Sequence, residues 1–92
     1  MLENEVRIHR SAAKFLDKLS PKIRDALLKR LDELKDFPRI YHIRSVTRLR
    51  GSNELWFRMR VGEIRILFRW DKHRRIIFVE KIGWRENVYS KR

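Results

Sequence analysis

The sequence predicts an α+β domain in which an N-terminal strand and a two-helix hairpin precede a three- to four-stranded antiparallel sheet. Three observations support this class. Residues 2–9 alternate apolar and charged side chains, residues 11–37 space their apolar side chains as two amphipathic helices do, and the second half alternates again between turn residues. Because the apolar stripes of two short helices need covering, we expect both helices on one face of the sheet.

Start and stop signals define the two predicted helices. Ser11 is a candidate cap for the first helix. Ser20 and Pro21 begin the second helix, with serine as the cap and proline in the first helical position. Pro38 ends this helix near residues 36–37, because the residue before a proline disfavours helical backbone angles.

The second half of the chain is predicted to contain short strands separated by turns. The candidate strands are Val46–Leu49, Leu55–Val61, Ile64–Trp70 and about Arg75–Ile82. Residues 83–92 follow as a basic tail.

The central hairpin determines which side chains share a face. Gly62-Glu63 fits a two-residue type II′ loop, so Val61 lies opposite Ile64 and the apolar residues of both strands point to one side. The other side receives Arg58, Arg60, Arg65, Arg69 and Trp56. Like charges directly opposite each other destabilise a sheet, so we interpret this face as a phosphate-binding surface with an aromatic ring for base stacking. The alternative is a solvated charged face without a ligand.

The charge of the chain favours a polyanionic partner. It has 24 Lys and Arg residues against 12 Asp and Glu residues, a formal net charge of +12. Each phosphate that a basic protein neutralises releases counterions, which makes nucleic acid or the ribosome the expected target class. A surface that is basic only for reasons of stability is the alternative.

Several classes of chemistry and location find no support in the sequence. The chain has no cysteine, which excludes disulfides, thiolate zinc sites and a cysteine nucleophile, and its three histidines lack ligand spacing. We therefore expect no metal and no cofactor. No segment reaches the roughly 18 apolar residues that span a bilayer, and the N-terminus is acidic where a signal peptide would be basic. The expected location is cytoplasmic, without a membrane partner.

Three segments resemble motifs of the RelE/ParE toxin superfamily. Leu55–Phe68 is similar to the family signature of an aromatic residue, alternating basic residues, a glycine turn and an arginine before an apolar strand. Leu49–Gly51 resembles the Leu-Lys-Gly that precedes this signature, and Gly83–Tyr89 resembles the C-terminal Gly-x-Arg with a following tyrosine. With the matching order of elements, the resemblance implies a single RelE-like toxin domain over residues 1–92.

For RelE-like members the resemblance implies a toxin of a toxin–antitoxin system that is an endoribonuclease, or mRNA interferase. Such a toxin cleaves mRNA in the ribosomal A site, without metal, by attack of the substrate's own 2′-hydroxyl, and so inhibits translation. Carried over by position, Arg65 would stabilise the charge on the scissile phosphate. Arg85 would assist the leaving 5′-oxygen or hold the phosphate, and Tyr89 would orient or stack on the nucleotide. The RNA- and phosphate-binding set would be Arg50, Arg58, Arg60, Arg69 and Trp56.

The same resemblance leaves two other functions open. ParE-like members share the strand with the glycine and arginine but inhibit DNA gyrase without nuclease activity, so Arg65 alone does not separate the two branches. Ile64 also replaces the tyrosine that usually precedes this arginine. A basic nucleic-acid-binding module without activity is the third hypothesis. The expected partners are an acidic antitoxin protein, the ribosome and mRNA.

Overall fold

The computed structural model describes residues 3–42, 45–49 and 55–85 of the chain. Its helices are α1 (Arg10–Asp17) and α2 (Pro21–Glu33), with short 3-10 turns at Leu34–Asp36 and Arg39–His42. Its strands are β1 (Glu5–Ile8), β2 (Val46–Arg48), β3 (Leu55–Val61), β4 (Ile64–Asp71) and β5 (Ile76–Trp84). The α+β class and the predicted order of elements are confirmed.

The strands form one five-stranded sheet in the order β1-β5-β4-β3-β2. The pairs β2–β3, β3–β4 and β4–β5 are antiparallel, as predicted. The N-terminal strand β1 joins at the edge, parallel to β5, with Val6 opposite Ile77. The first and last strands of the described chain therefore lie side by side, a pairing that only the tertiary structure reveals.

The helix starts agree with the sequence in one case and differ in the other. Ser20 is the N-cap of α2 and Pro21 its first residue, as predicted. The cap of α1 is His9 rather than Ser11: the His9 Nδ1 atom accepts a hydrogen bond from the Ser11 backbone N–H at 3.0 Å. The prediction was wrong because the imidazole takes the acceptor role that serine more commonly plays at this position.

The central hairpin has the register that the sequence predicts. Arg60 lies opposite Arg65, Trp56 opposite Arg69, and Val61 opposite Ile64. Gly62 has a φ of +60°, which suits a glycine in the first loop position. The segregation of apolar and basic residues onto opposite faces of β3 and β4 is thereby confirmed.

The hydrophobic core lies between the helices and the apolar face of the sheet. Its fully buried side chains include Leu27 of α2 together with Met59, Ile66, Phe68 and Ile77 of the strands. Along β3 and β4 the side chains of the other face are half-buried or exposed, with the exception of Arg65. This second face is where a functional site has room to form.

Asn4 joins the end of the helical segment to the sheet. This buried side chain donates through Nδ2 to the carbonyl oxygens of Phe37 at 2.8 Å and Leu34 at 3.2 Å. Its Oδ1 accepts from the Trp70 indole N–H at 3.1 Å. Phe37 in turn packs edge-on against Trp70, with 5.1 Å between ring centroids. These contacts position the helices over the core face and leave the opposite face of the hairpin uncovered by them.

Candidate functional site: an arginine cleft on the open face of the sheet

An open cleft of about 440 Å³ lies at the hairpin end of the second sheet face. Its lining, which we call the arginine cleft, includes Arg58, Arg60, Arg65 and Arg85 with the hydroxyl residues Ser45 and Thr47. The described part of this lining contains no carboxylate. A concave surface on which the described residues place four guanidinium groups and no carboxylate is suited to an anion with several oxygen atoms.

Arg65 is the most constrained residue of the cleft. Its Nη1 donates to the carbonyl oxygen of Gly62 at 2.8 Å and to that of Ile64 at 3.2 Å, so the hairpin loop itself holds the guanidinium. The residue is only 7% exposed. Within the described residues it has no carboxylate partner, and its Nε and Nη2 make no hydrogen bond. Because no buried side-chain nitrogen of the described residues lacks a hydrogen bond, Nε and Nη2 are accessible, which makes Arg65 a ready binding point for an external anion.

Backbone hydrogen bonds bring the other cleft residues to Arg65. The Arg60 N–H donates to the Ser45 carbonyl at 2.9 Å, which joins β3 to the start of β2. The Arg85 N–H donates to the Glu63 carbonyl at 2.8 Å, which brings the end of β5 against the hairpin loop. Arg58 lies opposite Thr47 across the β2–β3 pair. Residues that are far apart in the sequence therefore share one cleft.

Arg69 and Trp56 lie outside this cleft. Arg69 is four residues from Arg65, or about 14 Å along the strand. Its guanidinium forms an ion pair with Glu80 at 3.1 Å and lies 4.2 Å from the centroid of the Phe78 ring and 5.9 Å from that of Trp56. On the other side of Phe78, the Arg7 guanidinium lies 5.9 Å from the centroid of the same ring. We call Arg7, Phe78, Arg69 and Trp56 the aromatic–arginine row.

The structure unites four of the eight predicted site residues and separates two others. Arg58, Arg60, Arg65 and Arg85 line the arginine cleft, whereas Arg69 and Trp56 belong to the aromatic–arginine row. The remaining two, Arg50 and Tyr89, lie outside the described residues. The roles assigned to all eight stay predictions.

Sequence reasoning missed the two hydroxyl residues of the cleft. A signal for Thr47 was present: Val46 is apolar, so alternation along the strand directs the next side chain to the basic face. Ser45 precedes the strand, and no local pattern places it in the cleft.

Residues 3–42, 45–49 and 55–85 contain no group of three or more His, Asp or Glu side chains that could hold a metal ion. No helix within the same ranges is long and apolar enough to cross a membrane.

Glu5 and Lys35, whose pKa values the structure shifts, lie away from the arginine cleft. The Arg7 guanidinium, which donates a hydrogen bond to Glu5, lowers the pKa of that carboxyl group. Asp32 accepts a hydrogen bond from the Lys35 ammonium and raises the pKa of that lysine. Both pairs are exposed at the surface and contribute nothing to the chemistry of the arginine cleft.

Comparisons with known proteins agree with this architecture. Residues 6–89 match the family model of the ParE toxin of type II toxin–antitoxin systems, parDE. A protein designated RelE1 from Methanocaldococcus jannaschii is 34% identical over 87 residues, which cover 92% of this chain and 93% of the relative.

Solved structures show the same fold. A chain of the archaeal RelE–RelB complex from Pyrococcus horikoshii OT3 superposes with a TM-score of 0.81 at 23% identity, covering 94% of this chain and 99% of that chain. A chain of the RelBE2 toxin–antitoxin complex from Mycobacterium tuberculosis gives 0.68 at 26% identity, covering 91% and 100%. The isolated RelE toxin of E. coli gives 0.71 at 25% identity, covering 95% and 92%.

The element order, the five-stranded sheet and these superpositions define the fold as that of RelE. With the family model and the relative, the chain belongs to the RelE/ParE family of toxins of type II toxin–antitoxin systems.

Proposed function

We propose that this toxin is a RelE-like endoribonuclease that cleaves mRNA in the ribosomal A site and thereby inhibits translation. The observation that carries the proposal is Arg65, a buried guanidinium that lacks a carboxylate partner within the described residues and faces a cleft with three further arginines. Preorganised cations of this kind stabilise charge that develops in a transition state, often the largest catalytic contribution. A scissile phosphate with an attacking and a leaving oxygen is the anion that fits.

The proposed reaction uses groups of the substrate and needs no metal. The ribose 2′-oxygen forms a bond to the adjacent phosphorus, the bond from phosphorus to the 5′-oxygen breaks, and the products carry a 2′,3′-cyclic phosphate and a 5′-hydroxyl. Arg65 stabilises the charge on the phosphate, and Arg85 assists the leaving 5′-oxygen. Arginine remains protonated in proteins, so these residues stabilise charge, while the 2′-proton passes to water and the leaving 5′-oxygen takes a proton from water. Tyr89 orients or stacks on the nucleotide in this proposal.

The remaining basic residues bind the strand on either side of the scissile phosphate. Arg58 and Arg60 contact phosphates in the cleft, and we assign the same role to Arg50. Arg69 and Trp56 extend the surface along the sheet, where the indole offers a stacking face for a base. Action on translating ribosomes implies a cytoplasmic location.

An acidic antitoxin is the proposed partner that keeps the toxin inactive. The RelE-like chains from M. tuberculosis and E. coli were solved in toxin–antitoxin complexes. The net charge of +12 favours an acidic partner, and the exposed side chains of Ile8, Ile23 and Leu28 offer it apolar contacts. Gel filtration of the toxin mixed with the product of its neighbouring gene tests this. Persistently separate peaks at micromolar concentration would contradict it.

Primer extension on a short mRNA, with and without programmed ribosomes, tests the nuclease. We expect cuts that require ribosomes in the wild type and are lost in Arg65→Ala. The matched control is Arg74→Ala, which removes the same charge from an exposed side chain in the β4–β5 turn, at the other end of β4. Equal cutting by Arg65→Ala and the wild type would contradict the assignment of Arg65.

Inhibition of DNA gyrase is the second candidate, because the family model that matches residues 6–89 is that of the ParE toxin. The same cleft would then bind a phosphate or carboxylate group of the gyrase–DNA complex. The distinguishing experiment is a supercoiling assay with the folded toxin. Loss of supercoiling, together with intact mRNA on programmed ribosomes, would replace the nuclease proposal with this one.

A further inference from the structure

Thr47 has a fixed place on the wall of the arginine cleft. The core takes up Val46, which is 8% exposed, so alternation along β2 directs the next side chain to the opposite, cleft-bearing face. Hydrogen bonds of 2.9 Å at both ends of the strand, Arg60 N–H to Ser45 O and Leu49 N–H to Trp56 O, hold β2 against β3. Thr47 thus stands on a strand, directly opposite Arg58.

The cleft is rich in hydrogen-bond donors and poor in acceptors. Its four guanidinium groups only donate, which suits phosphate oxygens because these only accept. Within the described lining, the hydroxyls of Ser45 and Thr47 are the side-chain groups that accept. The sugar–phosphate backbone of RNA carries one group that can donate a hydrogen bond to such an acceptor, the ribose 2′-hydroxyl, and this group separates RNA from DNA.

Of the two hydroxyl residues, Thr47 is the better placed to recognise a ribose. It belongs to a paired strand and is β-branched, so its χ1 angle has few allowed values. Its neighbour across the strand pair is Arg58, so a phosphate on Arg58 brings the attached sugar towards the threonine. Ser45 lies in the turn before the strand, and its backbone carbonyl already accepts from Arg60.

We propose that Thr47 is the residue through which the cleft selects RNA over DNA. Its Oγ1 accepts a hydrogen bond from the 2′-hydroxyl of the nucleotide whose phosphate lies on Arg58. The inference rests on the proposed function, in that the cleft binds single-stranded RNA. Thr47 contributes to binding and ribose selection and takes no proton, because a threonine hydroxyl is not a base at neutral pH.

The test measures binding of a short, labelled single-stranded RNA and of the DNA with the same sequence, in the absence of ribosomes. Fluorescence anisotropy gives the ratio of the DNA Kd to the RNA Kd for each variant. Thr47→Val removes the hydroxyl while preserving shape and strand propensity, and Thr47→Ser restores it. Ser45→Ala is the matched control, since it removes a hydroxyl from the same cleft.

We expect the ratio to fall about three- to tenfold in Thr47→Val, which is the range for one neutral hydrogen bond. The loss should come from weaker RNA binding, and Thr47→Ser should recover the wild-type ratio. The salt dependence of RNA binding should be unchanged, because no charge is removed. Ser45→Ala should keep the wild-type ratio.

The failures of the two proposals are distinguishable. If the wild type prefers RNA and Thr47→Val keeps that preference, the assignment of Thr47 is wrong while RNA binding stands. Equal binding of RNA and DNA by the wild type also overturns the assignment, as does a loss of preference confined to Ser45→Ala. If the folded wild type binds neither strand, the inference is refuted, whereas the ribosome-dependent nuclease is decided by primer extension on programmed ribosomes.

Discussion

The anchoring of Arg65 leads to a prediction about a substitution that preserves charge. In Arg65→Lys the side chain keeps its positive charge but has a single nitrogen. In the wild type, Nη1 donates to the loop carbonyls at 2.8 and 3.2 Å, while Nε and Nη2 make no hydrogen bond within the described residues. A lysine ammonium cannot donate hydrogen bonds to the loop carbonyls and to a phosphate at the same time with this geometry. We therefore expect a folded protein that binds RNA and cleaves it slowly.

The expected size of the loss follows from the bonds that lysine cannot make. Hydrogen bonds to charged groups contribute about 1.5–3 kcal/mol, so the loss of the second phosphate contact lowers the cleavage rate by about 10- to 150-fold. Arg65→Ala also removes the charge and should lower the rate by at least about 10²- to 10³-fold. The slope of log K against log salt concentration should stay unchanged in Arg65→Lys and lose about one unit in Arg65→Ala.

Single-turnover cleavage on programmed ribosomes gives the rates, and a salt titration of RNA binding gives the slopes. The control is Arg74→Lys, which makes the same exchange where the arginine side chain is 77% exposed. Cleavage by Arg65→Lys at close to the wild-type rate would refute the reasoning. It would mean that the positive charge alone determines the cleavage rate, and that the guanidinium held by the loop carbonyls adds nothing.

Three further predictions concern the parts of the fold that support the site. Asn4→Ala should lower the free energy of unfolding by about 3–5 kcal/mol in urea titrations, because it leaves the buried partners of this amide unpaired; a loss below about 1 kcal/mol would contradict this. Gly62→Ala should lower the free energy of unfolding by about 1 kcal/mol, because alanine is strained at a φ of +60°. A clash does not contribute, since nothing lies within 4 Å of the added carbon. The lowered pKa of Glu5 predicts that the wild type is more stable than Glu5→Gln above pH 4.5, and that the difference fades as the pH falls through the lowered pKa; a constant difference in acid would contradict it.

Much of the sheet could be predicted because its signals are local. The Gly62 loop specifies the pairing of β3 with β4, and alternation then assigns every side chain of both strands to a face. The bounds of β3 and the start of α2 agree with the sequence for the same reason. The arginine face follows from this register alone.

The features that escaped prediction depend on contacts between distant segments. The parallel pairing of β1 with β5 joins residues about seventy positions apart, and no turn between them specifies a register. The use of His9 as a cap depends on which ring nitrogen faces Ser11. The cleft needs the end of β5 to meet the hairpin loop through Arg85 and Glu63, which is again a non-local contact.

A β-bulge explains why arginines that look equivalent in the sequence differ in the structure. The register of β4 with β5 shifts between Leu67 and Phe68, which face Lys81 and Val79, so Glu80 is the extra residue. Because of this shift, Val79 and Ile82 both reach the core, and the Glu80 carboxylate pairs with Arg69 on the open face. Arg69 is thus neutralised within the protein, whereas Arg65 lacks a carboxylate partner among the described residues. The bulge thereby places the Glu80 carboxylate beside Arg69 and away from the cleft, where Arg65 can bind an anion.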